Sequence, residues 1–315
     1  MSSLSIHDLP SVRGRLTANA SLGSVGWFRT GGTAEILFKP ADEDDLKDFL
    51  RACPRDIPVS VFGVLSNTII RDGGVRGVVV RLGREFAGVE RINDTDIMAG
   101  AACLDIHVAD QAAEYGIAHL EFLSGVPGTI GGALKMNAGA YGREMKDVMV
   151  TAYGVDRNGN THEFDVNDMG FSYRHSGVPD DIIFTRAILR GVKDEPADIR
   201  ARMAEIKSKR ESSQPIKEKT GGSTFANPKP DDLAAAGLPA ETRAWQLVDK
   251  VGGRGLKIGG AMMSELHANF MINTGDATAA DLEQLGDEIK RRIKDQLGVD
   301  MRWEIKRVGN KIGEK

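Results

Sequence analysis

The chain has 315 residues, 27% of them charged and 41% apolar, with a formal net charge of −4. That length predicts two domains, or three small ones, with ample chain for real cores. The mildly acidic balance argues against nucleic acid or an anionic membrane as the main partner. No apolar run reaches the roughly 20 residues a spanning helix needs, and MSSLSIHDLPSVRG lacks the basic start and apolar stretch of a secretory signal. The two cysteines, Cys53 and Cys103, stand outside any C-x-x-C spacing, so reduced thiols and a cytoplasmic location are expected.

Residues 1–40 read as irregular until AEILF, a strand ended by Pro40. Asp42 to Asp45 open a short helix with Leu46, Phe49 and Leu50 on one face, stopped before Pro54. PVSVFGVLSNTIIRDGGVRGVVVRL reads as strand, tight turn at Gly63, strand, turn at Asp72-Gly73-Gly74, strand. That β-α-β-β order predicts an α+β arrangement with a small mixed sheet. A second strand cluster over Gly83–Leu104 leads into the helix DIHVADQAAEYG, closed by Gly116. After a glycine-rich stretch, VMVTAYGVDRNGNTHEFDV predicts a hairpin turning at Arg157-Asn158-Gly159, followed by FSYRHS and the strand DIIFTRAILR.

Glu195–Ser212 predicts a helix with Ile199, Met203 and Ile206 at helical spacing and its basic residues on a solvated face, ending before Pro215. QPIKEKTGGS is the best domain-boundary candidate. A helix at Ala240–Asp249, the turn VGGRG and strand-like HANFMIN follow. The spacing then predicts an amphipathic helix over Ala279–Leu297, capped by Thr278 with Asp281 and ended by Gly298, with Leu282, Leu285, Ile289, Ile293 and Leu297 as its stripe. MRWEIKRVG closes the chain as a short strand.

Glu121–Gly142, EFLSGVPGTIGGALKMNAGAYG, holds six glycines and only two charged residues. Glycine at that density lets backbone N–H groups approach a ligand, and successive N–H groups form a nest that suits a pyrophosphate. It matches neither G-x-x-x-x-G-K-[ST] nor G-x-G-x-x-G, and a run of tight turns explains it equally well. There is no metal signature among the six scattered histidines and no G-x-S-x-G elbow. Three polar residues stand in conspicuous settings: Arg174 in FSYRHS, Ser223 after Gly221-Gly222, and Glu304 between Trp303 and Ile305. On pattern alone each has an ordinary reading as well, respectively an exposed strand charge, a turn serine and an outward strand residue.

Taken together, RTGGTAE, FGVLSN with RDGGVRGVVV, EFLSGVPGTIGGALKMNAGAYG, FSYRHS, GGSTFANP, KIGGAMMSELHANFMIN and WEIKRVG resemble, in order and over nearly the whole chain, the UDP-N-acetylenolpyruvoylglucosamine reductases (UDP-N-acetylmuramate dehydrogenases). The absence of a long insertion after YRHS is similar to the shorter, second type of that family. The resemblance implies a vanillyl-alcohol-oxidase/PCMH-type FAD-binding fold of two α+β subdomains, about 1–83 and 84–205, with the C-terminal strand 299–315 returning to the second. It also implies an α+β substrate domain over about 206–298.

FAD, bound non-covalently, is expected between the two subdomains, on Gly63, Val64, Leu65, Ser66 and Asn67 and on Pro127, Gly128, Thr129, Gly131 and Gly132, with Asn137, Ala138 and Gly139 near the flavin. NADPH would be the hydride donor and the enolpyruvyl ether of UDP-N-acetylglucosamine the substrate, giving UDP-N-acetylmuramate for peptidoglycan synthesis, with consequences for cell shape and division. The implied catalytic residues are Arg174 on the substrate carboxylate, Glu304 donating to the enediolate and Ser223 protonating the α-carbon. Tyr141, Lys217, Asn227, His267 and Asn269 fall where the family contacts the UDP-sugar. No metal, nucleic acid, membrane or obligate protein partner is expected.

The sequence departs from the family pattern in three places. Val64-Leu65 replaces glycine before Ser-Asn, so the cradle there would be reshaped or Leu65 would pack on the cofactor. Thr68 replaces an aliphatic residue, and Ala118-His119-Leu120 stands where a small residue and glycine often precede Glu121. Two other readings remain: a same-fold FAD oxidoreductase acting on another hydroxy acid or sugar, and a non-catalytic protein that binds FAD or a UDP-sugar.

Overall fold

The computed structural model describes residues 4–314; Met1–Ser3 of the stretch read as lacking a signal, and Lys315, lie outside them. The chain forms two compact units. The first takes residues up to Ala20, Ala34–Val64 and Arg76–Arg210; the second takes Ser21–Thr33, Leu65–Val75 and the chain from Glu211 onward. Among the described residues no helix is long and apolar enough to cross a membrane.

The first unit holds two larger sheets and, among the described residues, two further two-stranded pairs. One has four strands in the order Arg15–Ser21, Thr33–Lys39, Val75–Val80, Val59–Val61, the last two parallel with Val59 opposite Val78. Helix α1 (Glu43–Ala52) lies on it as its apolar spacing predicts: the Asp42 carboxylate caps the N–H of Asp45, and Leu46, Phe49 and Leu50 are buried against Ile36, Phe38 and Val78. Arg15–Ser21 is a strand where the sequence read as irregular. None of its residues is buried, and exposed and half-buried ones follow no regular alternation, so there is no period-2 pattern to detect.

The other sheet is antiparallel, in the order Thr161–Asp165, Met149–Val155, Ile183–Arg190, Asp96–Gly100, Val89–Arg91. Helices α2 (Asp105–Glu114) and α3 (Ile130–Lys135) contribute to the core beside it, with Val108, Leu120, Leu123, Ile130 and Leu134 fully buried. The expected hairpin turns with Gly159 at φ +75°. Helix α4 (Pro196–Ser213) closes the unit through Ile199, Met203 and Ile206. Its basic face is not wholly solvated: Arg202 binds Glu121 and Asp194, and Arg210 donates to the Ser124 carbonyl.

The second unit pairs Lys219–Ser223, Phe270–Asn273, Ala261–Met263 and Lys257–Ile258 in one antiparallel sheet. It carries helices α5 (Pro230–Ala235), α6 (Ala244–Lys250) and α7 (Ala279–Leu297). Helix α7 follows its sequence signals: a Thr278/Asp281 capping box, buried Leu282, Leu285, Ile289 and Ile293, and Gly298 at φ +74°. Thr68–Ile70 does not join the small mixed sheet; it pairs in parallel with Lys306–Val308. The two residues after it explain the diversion. Arg71 forks onto Glu283 at 3.0–3.2 Å, and Asp72 accepts from the first two N–H groups of α7 at 3.0 Å.

Candidate active site

In the first unit the two turns expected to cradle a pyrophosphate meet. A Cβ on Gly63 would lie 2.6 Å from the Thr129 hydroxyl, so only glycine fits there. The glycine run is fastened from behind: Ile130 N–H donates to Cys103 C=O, Gly131 N–H to Ala101 C=O, and Asp105 N–H to Gly128 C=O. Residues 62–64 and 125–132 contain no carboxylate; the N–H groups of Phe62, Val126, Ile130 and Gly131 are bonded within the protein, and Gly63, Gly128 and Thr129 carry further N–H donors. That donor set fits a pyrophosphate, as FAD carries.

Further along, Gly139–Ala140 pairs with Arg143–Glu144, and Tyr141-Gly142 between them are left-handed at φ +53° and +82°. That is the backbone of a type I′ hairpin turn. Asn137 is 0% exposed at φ +39°. Its carboxamide donates to Glu144 and to Ser172 C=O and accepts from Lys146 N–H. The side chain is therefore fully used within the protein, and the backbone N–H donates to Leu134 C=O at 3.3 Å. Ser172 begins the tight loop that carries Arg174: Ser172 and His175 exchange backbone hydrogen bonds. Arg174 sits at φ +56° with its guanidinium 3.1 Å from Gly139 C=O and over the Tyr173 ring. Non-glycine residues in this region cost of order 1–3 kcal/mol each and gather at functional sites; here Asn137, Tyr141 and Arg174 all adopt it.

In the second unit Ser223 ends the strand Lys219–Ser223, and Glu304 stands just before the strand Lys306–Val308. The strand Lys219–Ser223 has a register shift between Thr220 and Ser223, with Gly222 at φ +83°. Gly221 rests on the Phe28 ring, where a Cβ would overlap it. The bulge thus re-aims Ser223 at the strand end. The next residue, Thr224, accepts at its carbonyl from Glu304 N–H at 2.9 Å, and Phe225 bridges Trp303. Glu304 is half-buried; its peptide C=O accepts from the Asn67 carboxamide at 3.1 Å.

The side chain at Leu65 does not keep the backbone out of the left-handed region. Leu65 adopts φ +56°, the conformation glycine would take, and is 4% exposed, with its side chain 3.7 Å from the Cβ position of Gly26. Burial of the leucine offsets the left-handed strain. His119 similarly stands at φ +77°. Ser66 is buried, while Val64 and Ala138 are half-buried.

Of the residues expected to contact the sugar nucleotide, Lys217 is exposed and Tyr141 is 44% exposed. The Tyr141 ring sits against Gly125, and burial pushes its hydroxyl up from its ordinary pKa. His267 packs on Phe270 at 4.7 Å, and burial holds its pKa below the ordinary value. Two asparagines have structural partners: Asn227 accepts from Ala244 N–H at the start of α6, and Asn269 uses both ends of its amide on the Phe225 backbone. Sequence reasoning missed Glu144, Ser172, Thr224 and Trp303, because what they do is join segments far apart in the chain.

A glycine-lined pyrophosphate cradle in an α+β chain defines the class: an FAD-binding oxidoreductase. Residues 34–165 match the family described as an FAD binding domain, and residues 214–308 match the C-terminal domain of UDP-N-acetylenolpyruvoylglucosamine reductase. The chain is 56% identical over 304 residues to the UDP-N-acetylenolpyruvoylglucosamine reductase of Rhodospirillum rubrum, covering 96% of this chain and 93% of that protein. It is 53% identical to the one of Parvibaculum lavamentivorans, covering 96% and 94%. The crystal structure of the same reductase from Thermus caldophilus superposes with a TM-score of 0.78 at 31% identity, covering 95% of this chain and 100% of that one. The chain belongs to the UDP-N-acetylenolpyruvoylglucosamine reductase family, with an FAD binding domain followed by that family's C-terminal domain.

Proposed function

We infer that this chain is an NADPH-dependent flavoenzyme that reduces the enolpyruvyl ether of UDP-N-acetylglucosamine enolpyruvate to UDP-N-acetylmuramate. The observation that carries the reading is identity of 56% to a reductase of that name over 96% of the chain. FAD, when bound, supplies the hydride chemistry, taking hydride from NADPH and returning it to the enolpyruvyl methylene carbon. The protein's part is to hold the substrate and manage charge and protons. Hydride arrival leaves the α-carbon and carboxylate sharing negative charge, and aimed donors lower that barrier.

Arg174 binds the substrate carboxylate through its forked guanidinium, supported by its fixed left-handed turn and its bond to Gly139. Glu304, protonated, donates a hydrogen bond to the same developing charge. Ser223 gives its hydroxyl proton to the α-carbon and is reprotonated from solvent; the Thr224–Glu304 backbone bond supports a joint role for the two. Gly63–Asn67 and Pro127–Gly132 hold the FAD pyrophosphate through backbone donors, and Tyr141, Lys217, Asn227, His267 and Asn269 contact the UDP-sugar. The division into FAD subdomains over 1–83 and 84–205 and a substrate domain over 206–298 is part of the same proposal. So are a cytoplasmic location and, through the product's place in peptidoglycan synthesis, an effect on cell shape and division.

The visible spectrum of the purified protein tests the reading. A flavin band that bleaches with anaerobic NADPH and returns on adding UDP-N-acetylglucosamine enolpyruvate supports both half-reactions. A band that bleaches and stays bleached overturns the substrate; absence of any loadable flavin overturns the enzyme.

A further inference from the structure

The segment carrying Glu304 is held in an unusual way. The regular strand begins only at Lys306, and before it the segment meets Thr224–Ala226 through the isolated antiparallel bridge of Trp303 to Phe225. The Glu304 peptide groups are bonded on both sides. Glu304 N–H donates to Thr224 C=O at 2.9 Å, and Glu304 C=O accepts from Asn67 Nδ2 at 3.1 Å. Asn67 closes the ring with its own carbonyl, which accepts from Lys306 N–H at 3.0 Å. Asn269 treats the facing strand alike, accepting from Phe225 N–H at 3.0 Å and donating to Phe225 C=O at 2.8 Å. Two asparagine side chains thus bond the backbone on the two sides of that bridge, at Glu304 and at Phe225.

Asn67 ends the FGVLSN turn, which the preceding reading assigns to FAD by its backbone. Its side chain points to a different job. We propose that Asn67 is a positioning residue for Glu304: its carboxamide fixes the Glu304 peptide, so that only side-chain rotations remain between the backbone and the carboxyl group that meets the substrate. Angular error at a donor is costly because charge stabilisation depends on the donor already being aimed when charge develops. Without the amide, the Glu304 carbonyl loses its partner and the peptide between Trp303 and Lys306 gains a rotation. The inference rests on the role given to Glu304 above.

The test compares FAD-loaded wild type, Asn67→Ala, Asn67→Asp and Glu304→Ala by anaerobic stopped-flow, following flavin absorbance. The isosteric Asp variant keeps the volume but places an acceptor against the Glu304 carbonyl. Expected for Asn67→Ala is unchanged reduction by NADPH and a limiting rate of reoxidation by UDP-N-acetylglucosamine enolpyruvate about tenfold lower, with half-saturating concentration unchanged, the scale of one lost hydrogen bond. Asn67→Asp should be slower still. Amide hydrogen exchange over 303–306 should accelerate in both variants, which a pure cofactor contact would not produce. Wild-type reoxidation in the Asn67 variants while Glu304→Ala is slow overturns the inference alone. So does loss of FAD in both Asn67 variants, or equal slowing of both half-reactions. Wild-type reoxidation in Glu304→Ala removes the role of Glu304 and the inference with it.

Discussion

The backbone N–H of Glu304 donates to the carbonyl of Thr224 at 2.9 Å, joining residues 80 positions apart in the sequence. Thr224 follows Ser223, so this one bond sets the proposed proton donor and the proposed acid in register. Ser223→Ala removes the transferable proton and leaves the register intact. NADPH should reduce the flavin of this variant at the wild-type rate, while reoxidation by the enolpyruvyl substrate slows by about 10²-fold or more, within the range for loss of a general acid. Stopped-flow of the two half-reactions checks it, and equal slowing of both would remove the assignment.

Glu304→Gln keeps a neutral donor of the same length, whereas Glu304→Ala does not. The glutamine variant should retain most of the reoxidation rate and the alanine variant should lose about 2–4 kcal/mol of transition-state stabilisation. Indistinguishable rates would count against donation by Glu304.

The outer edge of the Trp303 indole packs against α7 because residue 286 is glycine; a Cβ there would overlap the ring. The indole N–H also bonds Asp287, and Arg307 covers the ring at 4.6 Å. Gly286→Ala gains about 1 kcal/mol of helix propensity but overpacks the contact by about 1–3 kcal/mol. Overpacking should win: the melting temperature falls, and reoxidation slows as the segment beside Glu304 moves. A rise in melting temperature would show that the ring yields without strain.

Leu65 combines a left-handed backbone with burial. Elsewhere Ala is the gentler replacement for a leucine; here it should be the harsher one. Leu65→Ala loses the burial, about 2–5 kcal/mol, and keeps the strain, whereas Leu65→Gly loses the burial and relieves about 1–2 kcal/mol of strain. Denaturant melts should therefore rank Gly above Ala, and the reverse order would deny the strain.

Asp105 is fully buried at the start of α2, and neither carboxylate oxygen has a hydrogen-bond partner. Burial alone raises its pKa well above the ordinary 3.8. A raised folded-state pKa means that the folded protein holds the proton after the unfolded chain has released it. Stability therefore falls as pH climbs past about 3.8, until the folded group ionises as well. Asp105→Asn cannot ionise, so its advantage over wild type should be small at pH 4 and larger at pH 7. Melting curves across that window check it; a constant difference would mean that Asp105 does not titrate between the two states.

Much of the fold was legible in the chain because the signals are local. Helix α7 announces itself by Thr278, Asp281, an apolar stripe and Gly298, each acting within a few residues. The hairpin at Asn158-Gly159 and α1 behind Asp42 are readable for the same reason. The catalytic candidates were visible only through resemblance, since an arginine, a serine and a glutamate on strands and turns have ordinary explanations. Tertiary structure decided the rest. Thr68–Ile70 reads as one more strand of its neighbours' sheet, yet Arg71 and Asp72 bind α7, more than 200 residues away in the sequence, and draw it to Lys306–Val308. No periodicity encodes that choice, because an ion pair and a helix cap depend on side chains meeting in space. The same holds for Leu65, where burial against Gly26 outweighs a backbone preference that sequence alone counts against it, and for Asn67, whose amide finds the Glu304 carbonyl only once both strands are in place.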